Sequence, residues 1–204
     1  MLKYVHHIHA TDCTTLVLLH GYGSNKEDLF GLKPYLPAMN ILCLEAPIHL
    51  QPYGFAWYPI EWDNGAKMID CDDVVAASKL VESSIQEWKD LNAITGEIII
   101  GGFSQGAITS IQLLLGNFPA KAFIFMSGYA LPEWMPALKS LHTSIPIYQS
   151  HGISDPVIPF EWARASADAM KHLPSYSFHQ YPMAHSLNAD CLKDIKTFLE
   201  AILQ

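Results

Sequence analysis

The stretch that decides the fold is EIIIGGFSQGAITS, residues 97–110, where an apolar run leads through Gly102-Phe103-Ser104-Gln105-Gly106 into a second apolar segment. The isoleucine-rich start predicts a buried strand over 97–101, and residues 105–115 predict a helix. Between them the pentapeptide fits G-x-S-x-G, whose glycines allow a sharp strand-to-helix turn that exposes the serine hydroxyl. This context predicts that Ser104 is a nucleophile, although a glycine-lined helix start with an idle serine has the same residues.

Short apolar segments and amphipathic segments alternate along the rest of the chain. Strands are predicted over residues 15–20, 40–45, 97–101, 121–126, 145–149 and 176–181, and helices over about 24–36, 70–91, 105–115, 160–171 and 189–203. This alternation predicts an α/β protein with a mostly parallel sheet covered by helices on both faces. Ligands of such sheets bind at the carboxyl ends of the strands. We expect one domain over residues 1–204, with an aromatic-rich loop over 46–66 that is long enough to suggest function.

Composition and charge narrow the range of functions. Half of the residues are apolar, which is typical of a globular chain with a substantial core, and the net charge of -8 argues against nucleic acid as a partner. No apolar run approaches the roughly 20 residues of a membrane span, and no signal peptide is evident, so we expect a soluble cytoplasmic protein. The four cysteines form no Cys-x-x-Cys pair. His6, His7 and His9 have no acidic or cysteine partner at ligand spacing, and neither a metal nor a cofactor is expected.

A serine nucleophile needs a base, and in this type of fold the chain order is serine, acid, histidine. Histidines follow the candidate acid at three positions. His172 lies in a predicted helix and His179 within a predicted strand, whereas His185 lies in the loop after the last strand. His185 is therefore predicted to be the base; a surface loop histidine is the alternative.

The candidate acid is Asp155, in the loop that follows the strand predicted at 145–149. Asp168, Asp190 and Asp194 lie in predicted helices instead. A carboxylate at the sheet edge can hold an imidazole in the tautomer that accepts the serine proton. Because Pro156 follows, Asp155 taken alone also fits an ordinary turn.

A tetrahedral intermediate needs hydrogen-bond donors for its oxyanion. The backbone N–H of Gln105, directly after the serine, is one candidate, and that of Tyr22 in the His20-Gly21-Tyr22-Gly23 loop is the other. Glycine-rich loops after strands also bind phosphate, so this loop by itself is weak evidence.

Five segments together resemble one known family: LLHGYGSNKEDL, FAWYPI, GGFSQGA, HGISDPVIPF and YPMAHS, in order from about residue 16 to 186. They are similar to the phospholipase/carboxylesterase family, which includes acyl-protein thioesterases and small bacterial carboxylesterases. The resemblance implies the α/β-hydrolase fold, Ser104 as nucleophile with Asp155 and His185, and the N–H groups of Tyr22 and Gln105 as the oxyanion hole. It also implies activity on esters, thioesters or lysophospholipids, no cofactor, and frequent homodimers. Ala184 departs from the glycine that the family usually has before the histidine.

The length of the chain predicts an open substrate cleft. Fewer than twenty residues separate the strands predicted at 121–126 and 145–149, too few for a large cap domain. The aromatic loop is predicted to roof this cleft in part, and Trp57 of that loop, Trp134 and Met183 are predicted to contact the acyl group. Aromatic and methionine side chains are also common in cores. The predicted activity is hydrolysis of an ester or thioester through an acyl-enzyme. A catalytically silent binding protein and a peptidase on the same scaffold are the alternatives.

Overall fold

Seven strands form one sheet in the computed structural model, which describes residues 1–63 and 66–204. The strands of this sheet are β1 Tyr4–His7, β2 Thr15–Leu19, β3 Asn40–Leu44, β8 Ile98–Phe103, β9 Ala122–Met126, β10 Ile147–Gly152 and β11 Tyr176–Tyr181. Their order in the sheet is β1-β3-β2-β8-β9-β10-β11; β1 is antiparallel to β3, and the other neighbours are parallel. Two small antiparallel pairs lie outside it, β4 Ile48–His49 with β5 Phe55–Ala56 and β6 Glu61–Asp63 with β7 Ala66–Met68.

Helices cover both faces of the sheet because its central strands are buried on both faces. They are α1 Lys26–Phe30, α2 Cys71–Leu91, α3 Gln105–Leu115, α4 Met135–Lys139, α5 Phe160–Met170 and α6 Ala189–Leu203, with 3-10 turns at Lys33–Tyr35 and Pro132–Trp134. Val17 of β2 belongs to the core cluster that includes Val81 of α2, whereas its neighbour Leu16 belongs to the cluster that includes Ile195 of α6. Successive residues of a strand point to opposite faces, so one strand contributes to both cores. This architecture is the α/β-hydrolase fold, without a large cap between β9 and β10.

The predicted elements agree with the structure where the apolar pattern is long. The helices at 105–115 and 189–203 and the strand at 176–181 have the predicted ends. The helix predicted over 24–36 is wrong in length, because α1 ends at Phe30 and a 3-10 turn follows. Pro34 has no backbone N–H, so an α-helix continuing through this segment would lose the hydrogen bond to the carbonyl of Phe30, and the proline ring would clash with that carbonyl.

The region predicted as an aromatic-rich loop contains β4, β5, β6 and the first residue of β7. Residues 64 and 65, which belong to that prediction, lie outside the described residues. Strand β1 and helix α4 were not predicted, since β1 is a half-buried edge strand of mixed polarity and α4 has only five residues. In the part of the chain that the structure describes, no helix combines the length and the apolarity that crossing a bilayer requires.

Candidate active site

Ser104 occupies the sharp turn between β8 and α3. Its backbone has φ +55° and ψ −115°, a conformation that is uncommon for a residue with a side chain. The N–H of Ser104 donates to the carbonyl of Met126 on the neighbouring strand at 2.9 Å, and its carbonyl accepts from Ala107 and Ile108 at the start of α3. Both ends of the turn are therefore held by elements that the sheet fixes, which keeps the serine in this conformation.

The two glycines of the motif are required by close backbone packing. A Cβ added at Gly106 would lie 2.0 Å from the carbonyl oxygen of Leu19, and one at Gly102 would lie 2.2 Å from the carbonyl oxygen of Gly106. Both contacts are with main-chain atoms, which cannot move aside as a flexible side chain can. Helix α3 can lie this close to β2 only without these side chains.

Substitution of Gly106 by alanine is expected to lower the free energy of unfolding by about 3 kcal/mol, because overpacking against backbone forces main-chain shifts. The matched control is Gly116→Ala at the other end of α3, where an added Cβ would be 3.3 Å from its nearest neighbour. Its expected effect is below about 1 kcal/mol. Urea unfolding of both variants measures the difference. Equal stability of the two variants would contradict the packing argument.

His185 connects Ser104 to Asp155 in one hydrogen-bonded chain. Its Nε2 lies 2.9 Å from the Ser104 hydroxyl, and its Nδ1 lies 2.7 Å from Oδ2 of Asp155. A carboxylate can only accept, so Nδ1 carries the proton and Nε2 is free to accept from the serine hydroxyl. Ser104, Asp155 and His185 follow β8, β10 and β11, whose carboxyl ends share one edge of the sheet. All three residues predicted as nucleophile, acid and base thus come within hydrogen-bond distance.

Asp155 both forms a turn and faces the imidazole. Its Oδ1 accepts from the backbone N–H groups of Val157 and Ile158 at 2.8 and 2.9 Å, while Oδ2 faces His185. Its side chain is fully buried. The turn chemistry that the sequence left as an alternative is therefore present, and it aims the second carboxylate oxygen at His185.

A second imidazole, His151 of β10, contacts the same carboxylate and was not predicted as a site residue. Its Nε2 is 3.0 Å from the carbonyl oxygen of Ile158 and 3.5 Å from Oδ2 of Asp155. Nδ1 is buried with no partner among the described residues, so Nε2 carries the single proton. Burial lowers the pKa of His151. The position of His151 at the start of the HGISD segment was the available sequence signal.

Acidification is expected to destabilise the protein below about pH 6.5, the ordinary histidine pKa. Burial lowers the pKa of His151 and of His20, and it has the same effect on His7 and His179. The unfolded chain therefore binds more protons than the folded protein in this range, and stability is lost as the pH falls.

Urea unfolding between pH 7.5 and 5 measures this dependence, whose steepest slope is about 1.4 kcal/mol per pH unit for each extra proton. The variant His151→Gln keeps an N–H at the ε position and does not titrate, so its slope is expected to be smaller. His49→Gln at an exposed position is the control. A slope that His151→Gln leaves unchanged would contradict the assignment of a neutral, buried imidazole.

The loop that carries the histidine packs on the end of β10 through Gly152. A Cβ at Gly152 would lie 2.3 Å from the carbonyl oxygen of Met183 and 2.5 Å from that of Ala184. Ala184, which departs from the family pattern, is exposed and does not have a positive φ. Alanine therefore fits this position without backbone strain.

The two predicted oxyanion donors lie on either side of the serine turn. Gln105 is the first residue of α3, and Tyr22 lies in the loop after β2 with its side chain 49% exposed. Neither backbone N–H has a hydrogen-bond acceptor among the described residues. Gly21 lies next to the serine, since a Cβ added there would be 3.4 Å from the Cβ of Ser104.

The residues predicted to contact substrate are mostly buried. Trp57, Trp134 and Met183 are 2%, 8% and 6% exposed, and all three pack in core clusters. The indole N–H of Trp57 donates to the carbonyl of His20 at 2.8 Å. The structure therefore indicates that Trp57 supports the loop after β2 and offers almost no surface to a ligand.

Two cavities are lined in part by residues that follow strands of the sheet at their carboxyl ends, Tyr129–Glu133 after β9 and His185 after β11. One of about 540 Å³ is lined mainly by apolar side chains, including Ile69, Leu131, Met135 and Trp162. A smaller one of about 280 Å³ is lined by His185, Phe103 and neighbouring residues of α1 and the histidine loop. A groove of about 830 Å³ lies at the opposite, amino-terminal edge of the sheet between α2 and β8, away from Ser104.

Of the three histidines near the N-terminus, His6 makes a structural contact. Nδ1 of His6 accepts a hydrogen bond from the indole N–H of Trp88 at 2.8 Å. Among residues 1–63 and 66–204, no group of three or more metal-ligating side chains converges.

The fold and the Ser–His–Asp arrangement define an α/β hydrolase with the site geometry of serine hydrolases. Comparison with known proteins narrows this class. The sequence profile of the phospholipase/carboxylesterase family matches residues 4–203, and the chain belongs to that family.

Individual relatives support the same assignment. Acyl-protein thioesterase 1 of Kluyveromyces lactis is 30% identical over 161 residues, covering 73% of this chain and 69% of that protein. Acyl-protein thioesterase 1 of Saccharomyces cerevisiae is 29% identical over 211 residues, covering 93% and 92%. The crystal structure of Zea mays acyl-protein thioesterase 2 superposes with a TM-score of 0.78 over 100% of this chain and 100% of that chain, at 20% sequence identity. The two proteins therefore share the fold.

Proposed function

We propose that this chain is a serine hydrolase that cleaves carboxylic esters or thioesters through an acyl-enzyme on Ser104. The observation that carries the proposal is the continuous chain of hydrogen bonds from the Ser104 hydroxyl through His185 to Asp155, at 2.9 and 2.7 Å. Membership of the phospholipase/carboxylesterase family and the acyl-protein thioesterases among its relatives support the substrate class.

The acylation step begins with the serine hydroxyl. Oγ of Ser104 bonds to the substrate carbonyl carbon while its proton moves to Nε2 of His185. The bond to the leaving alkoxide or thiolate then breaks, and His185 returns the proton to that group. The carboxylate of Asp155 stabilises the imidazolium between these two transfers.

The deacylation step repeats the chemistry with water as the nucleophile. His185 takes a proton from water, the resulting hydroxide attacks the acyl carbon, and the carboxylic acid leaves as Oγ of Ser104 recovers its proton. In both steps the carbonyl oxygen becomes negatively charged and accepts from the N–H groups of Tyr22 and Gln105. Each such donor lowers the barrier by roughly 3 kcal/mol.

The two cavities suggest how a substrate is oriented. We assign the acyl chain to the cavity of about 540 Å³, because its lining is mainly apolar and its residues 129–131 directly follow Gly128, which packs on the serine turn. The leaving group must accept its proton from His185, so we assign it to the smaller cavity beside that residue. A chain-length series of p-nitrophenyl esters and acyl thioesters measures the capacity of the acyl site.

The direct test of the proposal is covalent labelling of the folded protein with a fluorophosphonate probe, together with the ester and thioester series. Labelling at Ser104 and release of carboxylic acid are the expected results. Hydrolysis of casein or aminoacyl amides without ester turnover would favour the peptidase alternative. Tight binding of an acyl ligand without labelling or turnover would favour a silent binding protein; either result overturns the proposal.

We further propose a cytoplasmic location and a homodimeric state. All four cysteines are free thiols, which suits a reducing compartment. The dimer rests on the resemblance to a family whose members frequently dimerise. Cell fractionation tests the first proposal, and light scattering over a concentration series tests the second, for which a monomer at every concentration is the contradicting result.

A further inference from the structure

We propose that the side chains of His20, Trp57 and Gln105 form a clamp that aims the two oxyanion donors, the N–H groups of Tyr22 and Gln105, at one point. This inference rests on the proposed function, since it concerns the same site. The three side chains act through backbone groups and not on the reacting atoms themselves, so their role is positioning, whereas the backbone N–H of Gln105 is one of the two donors. The three residues are 1%, 2% and 3% exposed, so water hardly competes for their hydrogen bonds.

His20 has one defined tautomer. Its Nε2 lies 3.1 Å from the backbone nitrogen of Ala46, whose N–H donates to it. Nδ1 therefore carries the proton and donates to the carbonyl oxygen of Gly21 at 2.8 Å. Burial lowers the pKa of His20, which keeps the ring neutral and able to accept from Ala46.

The bond from His20 determines where the Tyr22 N–H points. The carbonyl of Gly21 and the N–H of Tyr22 belong to one planar peptide unit and point in opposite directions. The same carbonyl also accepts from the N–H of Ser24 at 3.2 Å. Fixing this oxygen from two sides therefore fixes the direction of the Tyr22 N–H. Hydrogen bonds to a carbonyl also polarise its peptide unit and strengthen the N–H as a donor.

Trp57 and Gln105 connect this loop to the first turn of α3. The indole N–H of Trp57 donates to the carbonyl of His20 at 2.8 Å, and the backbone N–H of Trp57 donates to Oε1 of Gln105 at 2.9 Å. Nε2 of Gln105 donates to the carbonyl of Tyr58 at 2.7 Å. The residue that supplies one oxyanion donor thus holds, through Trp57, the loop that supplies the other.

Loss of the clamp should weaken binding of the transition state more than binding of the substrate. The oxyanion exists only in the transition state, so misaimed donors lower kcat and leave KM nearly unchanged. Removal of one oxyanion donor costs about 100- to 1,000-fold in kcat in a known serine protease, and a misaimed donor should cost less. We expect roughly a 10-fold lower kcat for Trp57→Phe and roughly 30-fold for His20→Leu.

Matched variants separate positioning from folding. Trp88→Phe removes an equally buried indole N–H, which bonds His6 at 2.8 Å far from the serine turn, and should leave kcat unchanged. His20→Asn keeps an amide N–H near the position of Nδ1 and should recover most of the activity lost in His20→Leu. Urea unfolding of each variant confirms that the folded protein is assayed.

A tetrahedral inhibitor gives a readout that a merely structural role would not move. Alkyl boronates add to a catalytic serine and place an oxygen in the oxyanion site, whereas a free fatty acid occupies the acyl site only. We expect the affinity of Trp57→Phe for the boronate to fall in proportion to its kcat, and its affinity for the fatty acid to stay unchanged. Equal losses of affinity for boronate and fatty acid would overturn the clamp alone. So would a wild-type kcat in both Trp57→Phe and His20→Leu. A wild-type protein without any ester or thioester turnover would overturn both the clamp and the proposed function.

Discussion

Replacement of Ser104 by alanine is expected to lower kcat for ester and thioester hydrolysis by about 10⁶-fold, the scale measured when a serine protease loses its nucleophile. Without Oγ no acyl-enzyme can form, and His185 retains no hydroxyl to activate. The residual rate should reflect the oxyanion donors and substrate binding alone. Steady-state kinetics measures turnover, and fluorophosphonate labelling measures the reactivity of the serine. Both should be lost in Ser104→Ala.

The control for this variant is Ser127→Ala. Ser127 lies at the carboxyl end of the neighbouring strand, also has a positive φ of 49°, and has a buried hydroxyl with no partner among the described residues. Removing an unpaired hydroxyl should change neither stability nor turnover much. Strong labelling of Ser104→Ala, or loss of labelling in Ser127→Ala with its fold intact, would refute the assignment of Ser104.

Replacement of Asp155 by asparagine is expected to lower kcat by about 10⁴-fold, as the equivalent change does in a serine protease. The asparagine oxygen can keep the bonds from Val157 and Ile158, now 2.8 and 2.9 Å long, so the turn should survive. Its amide N–H would then face Nδ1 of His185 and favour the tautomer with the proton on Nε2. That tautomer cannot accept the serine proton.

Asp168→Asn is the matched control, because Asp168 is an exposed aspartate on α5 paired with Lys171 at 3.1 Å. Its kcat should equal that of the wild type. Urea unfolding should show that Asp155→Asn is folded, so its lower kcat reflects slower turnover and not unfolding. A kcat within 10-fold of the wild type for Asp155→Asn would show that another group orients His185, and His151, 3.5 Å from the same carboxylate, would be the residue to examine.

These two predictions concern Ser104 and Asp155, which the sequence alone identified as site residues. A serine between two glycines, after a strand and before a helix, has few other structural explanations. Chain order and placement in loops at the carboxyl ends of strands then selected Asp155 and His185. In a parallel sheet these ends lie at one edge whatever the sequence separation, so local patterns predicted a contact between Ser104 and His185, 81 positions apart.

The prediction for Trp57 shows where such reasoning stops. An aromatic residue in a loop near the site suggests substrate contact, but the structure buries its ring and uses both of its N–H groups to hold other parts of the chain. Residue type gives hydrogen-bonding capacity, whereas the partners depend on which segments the fold brings together. No local pattern links His20, Trp57 and Gln105.

The sequence by itself determined the fold class, most of the helices and strands, and the identity of Ser104, His185 and Asp155 as site residues, because periodicity, turn chemistry and chain order are local or topological properties. Only the tertiary structure decided the length of α1, the strand pairs between β3 and α2, the second imidazole at Asp155 and the contacts behind the oxyanion donors. Those features depend on contacts between segments far apart in the chain, such as the close packing of Gly106 against Leu19. Close packing sets such contacts, and packing is a property of the whole fold.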